Sequence, residues 1–200
     1  MADLHSADVL AFHDSRHAIG GWAKSGAAQH AAGLWQAIED NHRNNCALWD
    51  EEDLARRRSV PDSEIAANKR ALDGYNQKRN DAIERIDEFL LTALAAIPPK
   101  PGARLNSETA GSMCDRLSIL SLKVHHMRIQ TLRTDVDRDH VDTCKAKLAR
   151  LVEQRADLAG CLDRLLAECA RGESLFKVYR QFKMYNDPKL NPAVYGEKKS

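Results

Sequence analysis

Six residues with chemically useful side chains, Trp35, Glu39, His42, Cys46, Trp49 and Asp53, recur at intervals of three and four. At about 100° per residue they share one helical face, within roughly 40° on either side of Trp35. A face with only a packing task would carry Leu and Ile. A carboxylate or imidazole buried there costs several kcal/mol unless it is paired or hydrogen-bonded, so each needs an internal partner or a ligand. Glu39 and His42 are the candidate catalytic pair, because an imidazole titrating near neutral pH can transfer a proton beside a carboxylate.

Other constellations carry weaker chemistry. Glu84-x-x-Asp87, with Asp50, Glu51, Glu52 and Asp53 upstream, resembles the acidic pairs that hold magnesium in all-α pyrophosphohydrolases. The upstream Glu-x-x-Glu is missing, however, and hairpin pairing sets the two groups more than two turns apart. The run from Asn106 to Ser112 opens a helix with hydroxyls and a glycine; it suits phosphate, and it equally suits ordinary capping by Ser107 or Thr109. His13 and His17 lie one turn apart without a third ligand nearby in sequence. Of His125 and His126, one is expected packed and one exposed.

The elements that must position these groups are helices. Strand-type alternation is absent, and glycines and prolines gather at a few junctions. A short helix from about Ala7 to Ala18 precedes Gly20-Gly21, and the helix bearing the polar face runs from about Ala27 to Arg58. After Pro61-Asp62 a second long helix reaches about Ile97, with Leu72, Ile83, Ile86 and Leu90 on one side. Pro98, Pro99, Pro101 and Gly102 stop it. A central helix from about Ser107 to Arg133 is apolar on two sides, and a last long helix keeps a near-heptad stripe to about Ala170.

The expected fold class is therefore all-α. It is an elongated four-helix bundle of two antiparallel hairpins, with a short N-terminal helix and a short aromatic C-terminal helix plus tail. One domain is expected, with residues 1–25 peripheral, 26–170 forming the bundle and 171–200 the C-terminal helix and tail. In that last part Phe176, Tyr179, Phe182 and Tyr185 alternate with Lys177, Arg180 and Lys183. The expectation is an amphipathic helix, rings on the bundle and cations in water.

Folding the first hairpin at Pro61 sets His42 opposite Asn76 and Arg79, and Glu39 close to Arg79 and Asn80, within about one turn. The second hairpin sets Arg155 near Met113, with Asp115 and Arg116 close by. The ligand-binding candidates are thus Arg79, Asn76, Asn80, Asp53, Trp49, Asp115, Arg116 and Arg155. Three readings stay open. The layer can be a satisfied network of Glu39 with Arg79 and His42 with Asn76. It can be a metal site, since Glu39-x-x-His42 has the spacing of ferritin-like di-iron bundles; but the only relative is Asp137-x-x-His140 and Arg79 would repel a cation, so no metal ligand is assigned. Or it can hold an anionic ligand between tryptophan walls.

Charge and composition narrow the partners. Thirty basic residues balance 29 acidic ones, with eight histidines neutral. That leaves no long-range field for nucleic acid or an anionic membrane, and no nucleic-acid partner is expected. No apolar run of about 18 residues suggests membrane insertion, and no signal-peptide h-region stands at the start. Five cysteines without a C-x-x-C pair read as reduced thiols. A cytoplasmic location is expected, homo-oligomers are allowed, and no cofactor is named by any motif.

Several segments together carry a family resemblance. They are Ile38-Glu39-Asp40-Asn41-His42-Arg43-Asn44-Asn45, Leu48-Trp49 with Glu52-Asp53, Tyr75-Asn76-Gln77-Lys78-Arg79-Asn80-Asp81, Leu105-Asn106-Ser107-Glu108-Thr109 with Gly111-Ser112-Met113, Asp115-Arg116-Leu117-Ser118-Ile119-Leu120, and Gln181-Phe182-Lys183-Met184-Tyr185-Asn186-Asp187-Pro188. From about Leu34 to Tyr195 the chain resembles a bacterial family, domain of unknown function 4254 (DUF4254), with Ala110 where proline is expected. The resemblance implies no activity. It implies a link to the glycosyltransferases of surface-polysaccharide assembly, as pathway or as partner. It falls on the same polar residues that periodicity places inside the bundle, so the leading expectation is a polar pocket for a small anionic metabolite, phosphorylated or nucleotide-sugar-like. The alternatives are a non-catalytic accessory protein docking to a glycosyltransferase, and a metal-dependent helical-bundle enzyme.

Overall fold

The turn at Pro61 folds the chain into its first hairpin: the proline caps a helix whose first turn carries Asp62 and Glu64, acids that favour the positive end of the helix dipole. The computed structural model describes residues 4–180, 182, 184 and 187–196. In chain order the elements are α1 (Ser6–His17), α2 (Trp22–Ser25), α3 (Gly33–Ala55), α4 (Asp62–Leu94), β1 (Arg104–Leu105), α5 (Ala110–Thr131), α6 (Arg138–Ala170), β2 (Ser174–Leu175) and α7 (Pro192–Tyr195). Helices α3 and α4 form one antiparallel hairpin and α5 and α6 the other, and α5 also packs on α1, α3 and α4. The architecture is an all-α bundle, with α5 central as its two apolar sides predict. Among the described residues, no helix is long and apolar enough to cross a membrane.

The core lies where Ile38, Ile86, Leu90, Leu117, Leu162 and Leu165 meet. Helix α1, expected at the periphery, is part of it: Val9 is fully buried and Phe12 nearly so, as is Leu4 just before the helix. Ser6 anchors it, its amide and hydroxyl both donating to Asp163 of α6. This short helix therefore covers the polar face of α3 that the sequence assigned to α4. Between the hairpins, α4 and α5 approach closely at Gly111, where a Cβ would stand 2.4 Å from the carbonyl oxygen of Ile83. Only glycine fits there.

Two element boundaries differ from expectation for local reasons. Helix α3 begins at Gly33 rather than near Ala27, because a helix continued back to Ala27 would hold Gln29 and His30 about 14–15 Å along the axis from Glu39, whereas their amides donate to its carboxylate. After α6, the expected amphipathic helix is replaced by β2, paired in parallel with β1, and by non-helical backbone over 176–180. Phe176 is buried in the core, while Arg180 donates to Glu84 and Glu88 on α4. The aromatic expectation at Tyr185, and the cation at Lys183, lie outside the described residues. Among those that are described, the C-terminal helix is the single turn α7.

Candidate functional site

Glu39 is almost fully buried, yet its partner is not Arg79. Its carboxylate accepts from the amides of Gln29 and His30 at 2.9–3.0 Å and from Arg43 Nη2 at 3.1 Å. Arg43 in turn donates to the carbonyls of Trp22 and Gly26 and lies 4.2 Å from the centre of a Trp22 ring. One helical turn of α3 thus clamps residues 22–30 to the bundle. The expected Glu39–Arg79 pair does not form, because Glu39 faces the chain entering α3 and Arg79 faces α5.

A second polar layer joins α3 to α5. Asp115 Oδ1 accepts from the carboxamides of Asn41 and Asn45, each at 2.9 Å, and Asn45 also donates to Ser118 Oγ at 3.0 Å. Asn41, Asn45, Asp115 and Ser118 are all buried. Arg79 reaches this layer from α4: its Nε lies 3.8 Å from Asp115 Oδ1, is buried and makes no hydrogen bond. The neighbouring Asn80 Oδ1 is buried without one too. Asn41 and Asn45 sit a quarter- to a third-turn off the face of α3 singled out by periodicity, and Ser118 lies on α5, so periodicity does not mark them, although all three fall within the segments that carry the family resemblance.

The third cluster is built from histidines. His42 Nδ1 meets Ser118 Oγ at 2.8 Å, not Asn76, and its Nε2 lies 3.7 Å from Cys46 Sγ. His13 stacks on His42 with ring centroids 4.3 Å apart, and neither of its nitrogens has a hydrogen-bond partner. His17 bonds Ser121 Oγ at 3.0 Å and stacks on His125; His126 stacks on Trp49 at 4.5 Å. His125 and His126 are therefore both half-buried and both packed. Burial, reinforced by the neighbouring His17, lowers the His13 pKa from 6.5 to about 3. Burial, then His125, lowers His17 to about 4, and burial, then His13, holds His42 well below its ordinary value. These imidazoles are neutral at pH 7. Burial likewise pushes the Cys46 thiol up to about 12.

The remaining candidates separate. Arg155 donates to Asp14 of α1 at 2.6 Å, and Asp14 also accepts from Ser121, so Arg155 serves the histidine cluster instead of joining Asp115. Arg116 is engaged with Glu108 at 2.6 and 2.8 Å on the surface. The expected second polar cluster is not assembled, because α1 lies across α5 and α6 and supplies the acid. At the start of α5, Thr109 caps the Ser112 amide and Asp87 accepts from the Gly111 amide at 2.6 Å, so two amides that suited a phosphate are already taken. Glu84 is bound to Arg180. The Glu84–Asp87 pair is thereby split between two structural tasks.

Trp49, Asp53, Asn76 and Arg79 do come together. With Asn45, Leu48, Glu52, Arg56, Ile119 and Leu122 they line a cavity of about 390 Å³ between α3, α4 and α5. A second cavity of about 570 Å³ shares Trp49 and Asp53 and is otherwise lined in part by Lys123, His126, Lys147 and Arg150. Both volumes fall within the range of about 300–1,000 Å³ of small-molecule sites. Metal-ligating atoms converge elsewhere: among the described residues, one such atom from each of His17, His42 and Cys46 lies within 4.8 Å of the others. Glu39 is not one of them.

Residues 35–178 match the family model described as protein of unknown function (DUF4254), and the chain belongs to that family. No curated protein and no solved structure matches it.

Proposed function

We propose that this protein binds a small anionic metabolite in the cleft between α3, α4 and α5, with Arg79 as the anion-reading residue. The observation that supports it is the guanidinium of Arg79, whose buried Nε makes no hydrogen bond on the wall of a cavity of about 390 Å³. A buried donor left unsatisfied costs about 1–3 kcal/mol, and a carboxylate or phosphate oxygen in the cavity would recover it. Asn76 adds a carboxamide to the same wall and Trp49 an aromatic one. Past Trp49 the second cavity carries Lys123, Lys147 and Arg150 against Asp53, an electropositive extension suited to further phosphate. A ligand of two parts, phosphate and sugar, matches that division. The link to surface-polysaccharide assembly that the family resemblance implies makes nucleotide sugars the first ligands to try, in a bacterial cytoplasmic setting.

The test is thermal shift of the purified chain with inorganic phosphate, nucleotides and nucleotide sugars. A ligand at 100 times its Kd adds about 2.7 kcal/mol, several degrees of Tm for a chain of this size, and Arg79→Gln should abolish that shift while the ligand-free protein stays folded. No shift across the set, or a shift that Arg79→Gln preserves, sinks the reading.

A second reading has its own support. The Glu39 and Asp115 carboxylates find their hydrogen bonds within the protein, while Tyr179, Phe182, Met184, Leu190 and Tyr195 are half or more exposed on the C-terminal segment. Such a surface suits a non-catalytic accessory protein that docks on a glycosyltransferase. In that case truncation before Tyr179 would abolish co-purification with the enzyme while leaving the bundle's Tm unchanged.

A further inference from the structure

Three donors of the kind that hold zinc converge where α1 crosses α3, apart from the cavity of Arg79. His42 and Cys46 stand one turn apart on α3, with Nε2 and Sγ 3.7 Å from each other. A tetrahedral ion with Zn–N of about 2.0–2.1 Å and Zn–S of about 2.3 Å sets neighbouring nitrogen and sulfur about 3.6 Å apart. One edge of the tetrahedron is therefore already in place. His17 enters from α1, and one ligating atom of each of the three lies within 4.8 Å of the others.

The groups behind the imidazoles orient them. Ser121 commits its single hydroxyl proton to Asp14 Oδ1, so at His17 it accepts from Nε2–H, and His17 Nδ1 keeps its lone pair. At His42, Nδ1 meets Ser118 Oγ and Nε2 faces the thiol; the tautomer with its proton on Nδ1, donated to Ser118, is the one that would ligate. Metal-binding histidines are held in this way, one nitrogen fixed by an outer partner and the other on the ion. The adjacent cation Arg155 is matched by Asp14 at 2.6 Å, and Arg16 lies over the rings of Phe12 and Trp22. The fully buried His13, stacked on His42 with neither nitrogen bonded, adds polarity that packing alone does not require.

We propose that His17, His42 and Cys46 form a site for a divalent transition-metal ion of the zinc type, which ties α1 to α3. Two imidazoles and a thiolate, with no carboxylate, select such an ion over magnesium or calcium. Binding exchanges one proton for the metal: the Cys46 S–H proton leaves to solvent, the sulfur and two nitrogens donate lone pairs, and nothing is oxidised or reduced. The fourth position is left to water or a ligand. His17 precedes the residues 35–178 matched by the family model, so the N-terminal helix completes a site that the family region alone does not hold.

Cobalt(II) titration of the full chain, stripped with a chelator, tests this. One equivalent should saturate the protein, give thiolate-to-cobalt charge-transfer absorption, raise Tm and release one proton; zinc should displace it. Cys46→Ser should remove the absorption. His17→Gln, on half-buried α1, should weaken binding by more than the about 10- to 100-fold that loss of an outer partner costs, and it keeps the test open if Cys46→Ser does not fold. Cys144→Ser, which removes a similar His140–Cys144 pair at 3.5 Å on α6, should leave the spectrum unchanged, as should Arg79→Gln. No saturable absorption in the wild type, absorption that survives Cys46→Ser or is lost with Cys144→Ser, or unweakened binding by His17→Gln overturns the proposal.

Discussion

The imidazoles of His13 on α1 and His42 on α3 stack with centroids 4.3 Å apart, and both are fully buried. Because burial lowers both pKa values below 6.5, the unfolded chain takes up protons in mild acid that the folded chain refuses. Their contribution is complete above about pH 6.5 and is lost as pH falls toward 3, by about 1.4 kcal/mol per pH unit for each group. Asp87 opposes them: burial raises its pKa from 3.8 to about 6, so between those values the folded chain holds a proton that the unfolded chain has released. His17, lowered to about 4 and partly exposed, adds to the loss, so the net expectation is a loss of more than about 1.4 kcal/mol per pH unit between about pH 6 and 4. Urea midpoints across pH 4–7.5 check it, and His13→Phe should flatten the profile. Stability that is constant or rising on acidification contradicts the account.

The clamp of Glu39 and Arg43 makes a local prediction. Glu39→Ala strands the amides of Gln29 and His30 and the Arg43 guanidinium, so it should cost about 3–5 kcal/mol. The loss should register first in residues 26–32, which the carboxylate holds against α3. Hydrogen exchange at Gln29 and His30 should rise well before exchange in α5. Unchanged protection at these two amides would mean that the loop is held by something other than this carboxylate.

Periodicity and punctuation were enough to place the helices, because Pro61, the Pro98–Gly102 run and the heptad stripe of α6 act locally. They also grouped Trp49, Asp53, Asn76 and Arg79, which share one cavity. What they missed depends on contacts across the chain. Glu39 looked like a partner for Arg79 because hairpin register was the only tertiary rule available, whereas its real partners are backbone amides about ten residues upstream, invisible to side-chain pattern. His13 and His17 had no third ligand nearby in sequence; His42 and Cys46 reach them only because α1 packs against the bundle. The tail failed as a helix for a related reason, since Phe176 gains more from the core and the backbone at 174–175 from pairing with β1.

The Asp115 layer allows charge and hydrogen bonding to be separated. Asp115→Ala takes from the buried carboxamides of Asn41 and Asn45 the acceptor they share, leaving Asn45 only Ser118 and Asn41, and leaves Arg79 without its counter-charge, for an expected cost of about 3–5 kcal/mol. Asp115→Asn keeps an acceptor oxygen for both carboxamides and loses only the charge facing Arg79 at 3.8 Å, which is worth about 1 kcal/mol at that separation and exposure. Urea denaturation of the two variants checks the ratio. Equal losses would place the weight on the ion pair instead of the carboxamides.

One substitution made at two places should change sign. Gly111→Ala puts a Cβ 2.4 Å from the Ile83 carbonyl oxygen and 2.9 Å from Asp87 Oδ1, and backbone cannot yield as a side chain can. Helices α4 and α5 must separate, the Gly111–Asp87 hydrogen bond stretches, and a loss of about 1–3 kcal/mol follows from overpacking alone. Gly160 lies within α6 with nothing within 4 Å of its added Cβ; there the same change relieves the entropy cost of a mid-helix glycine and should stabilise by about 0.5–1 kcal/mol. Denaturant midpoints of the two variants should move in opposite directions from wild type. A stabilised Gly111→Ala would mean that α4 and α5 do not approach closely at this point, and the central position of α5 would have to be redrawn.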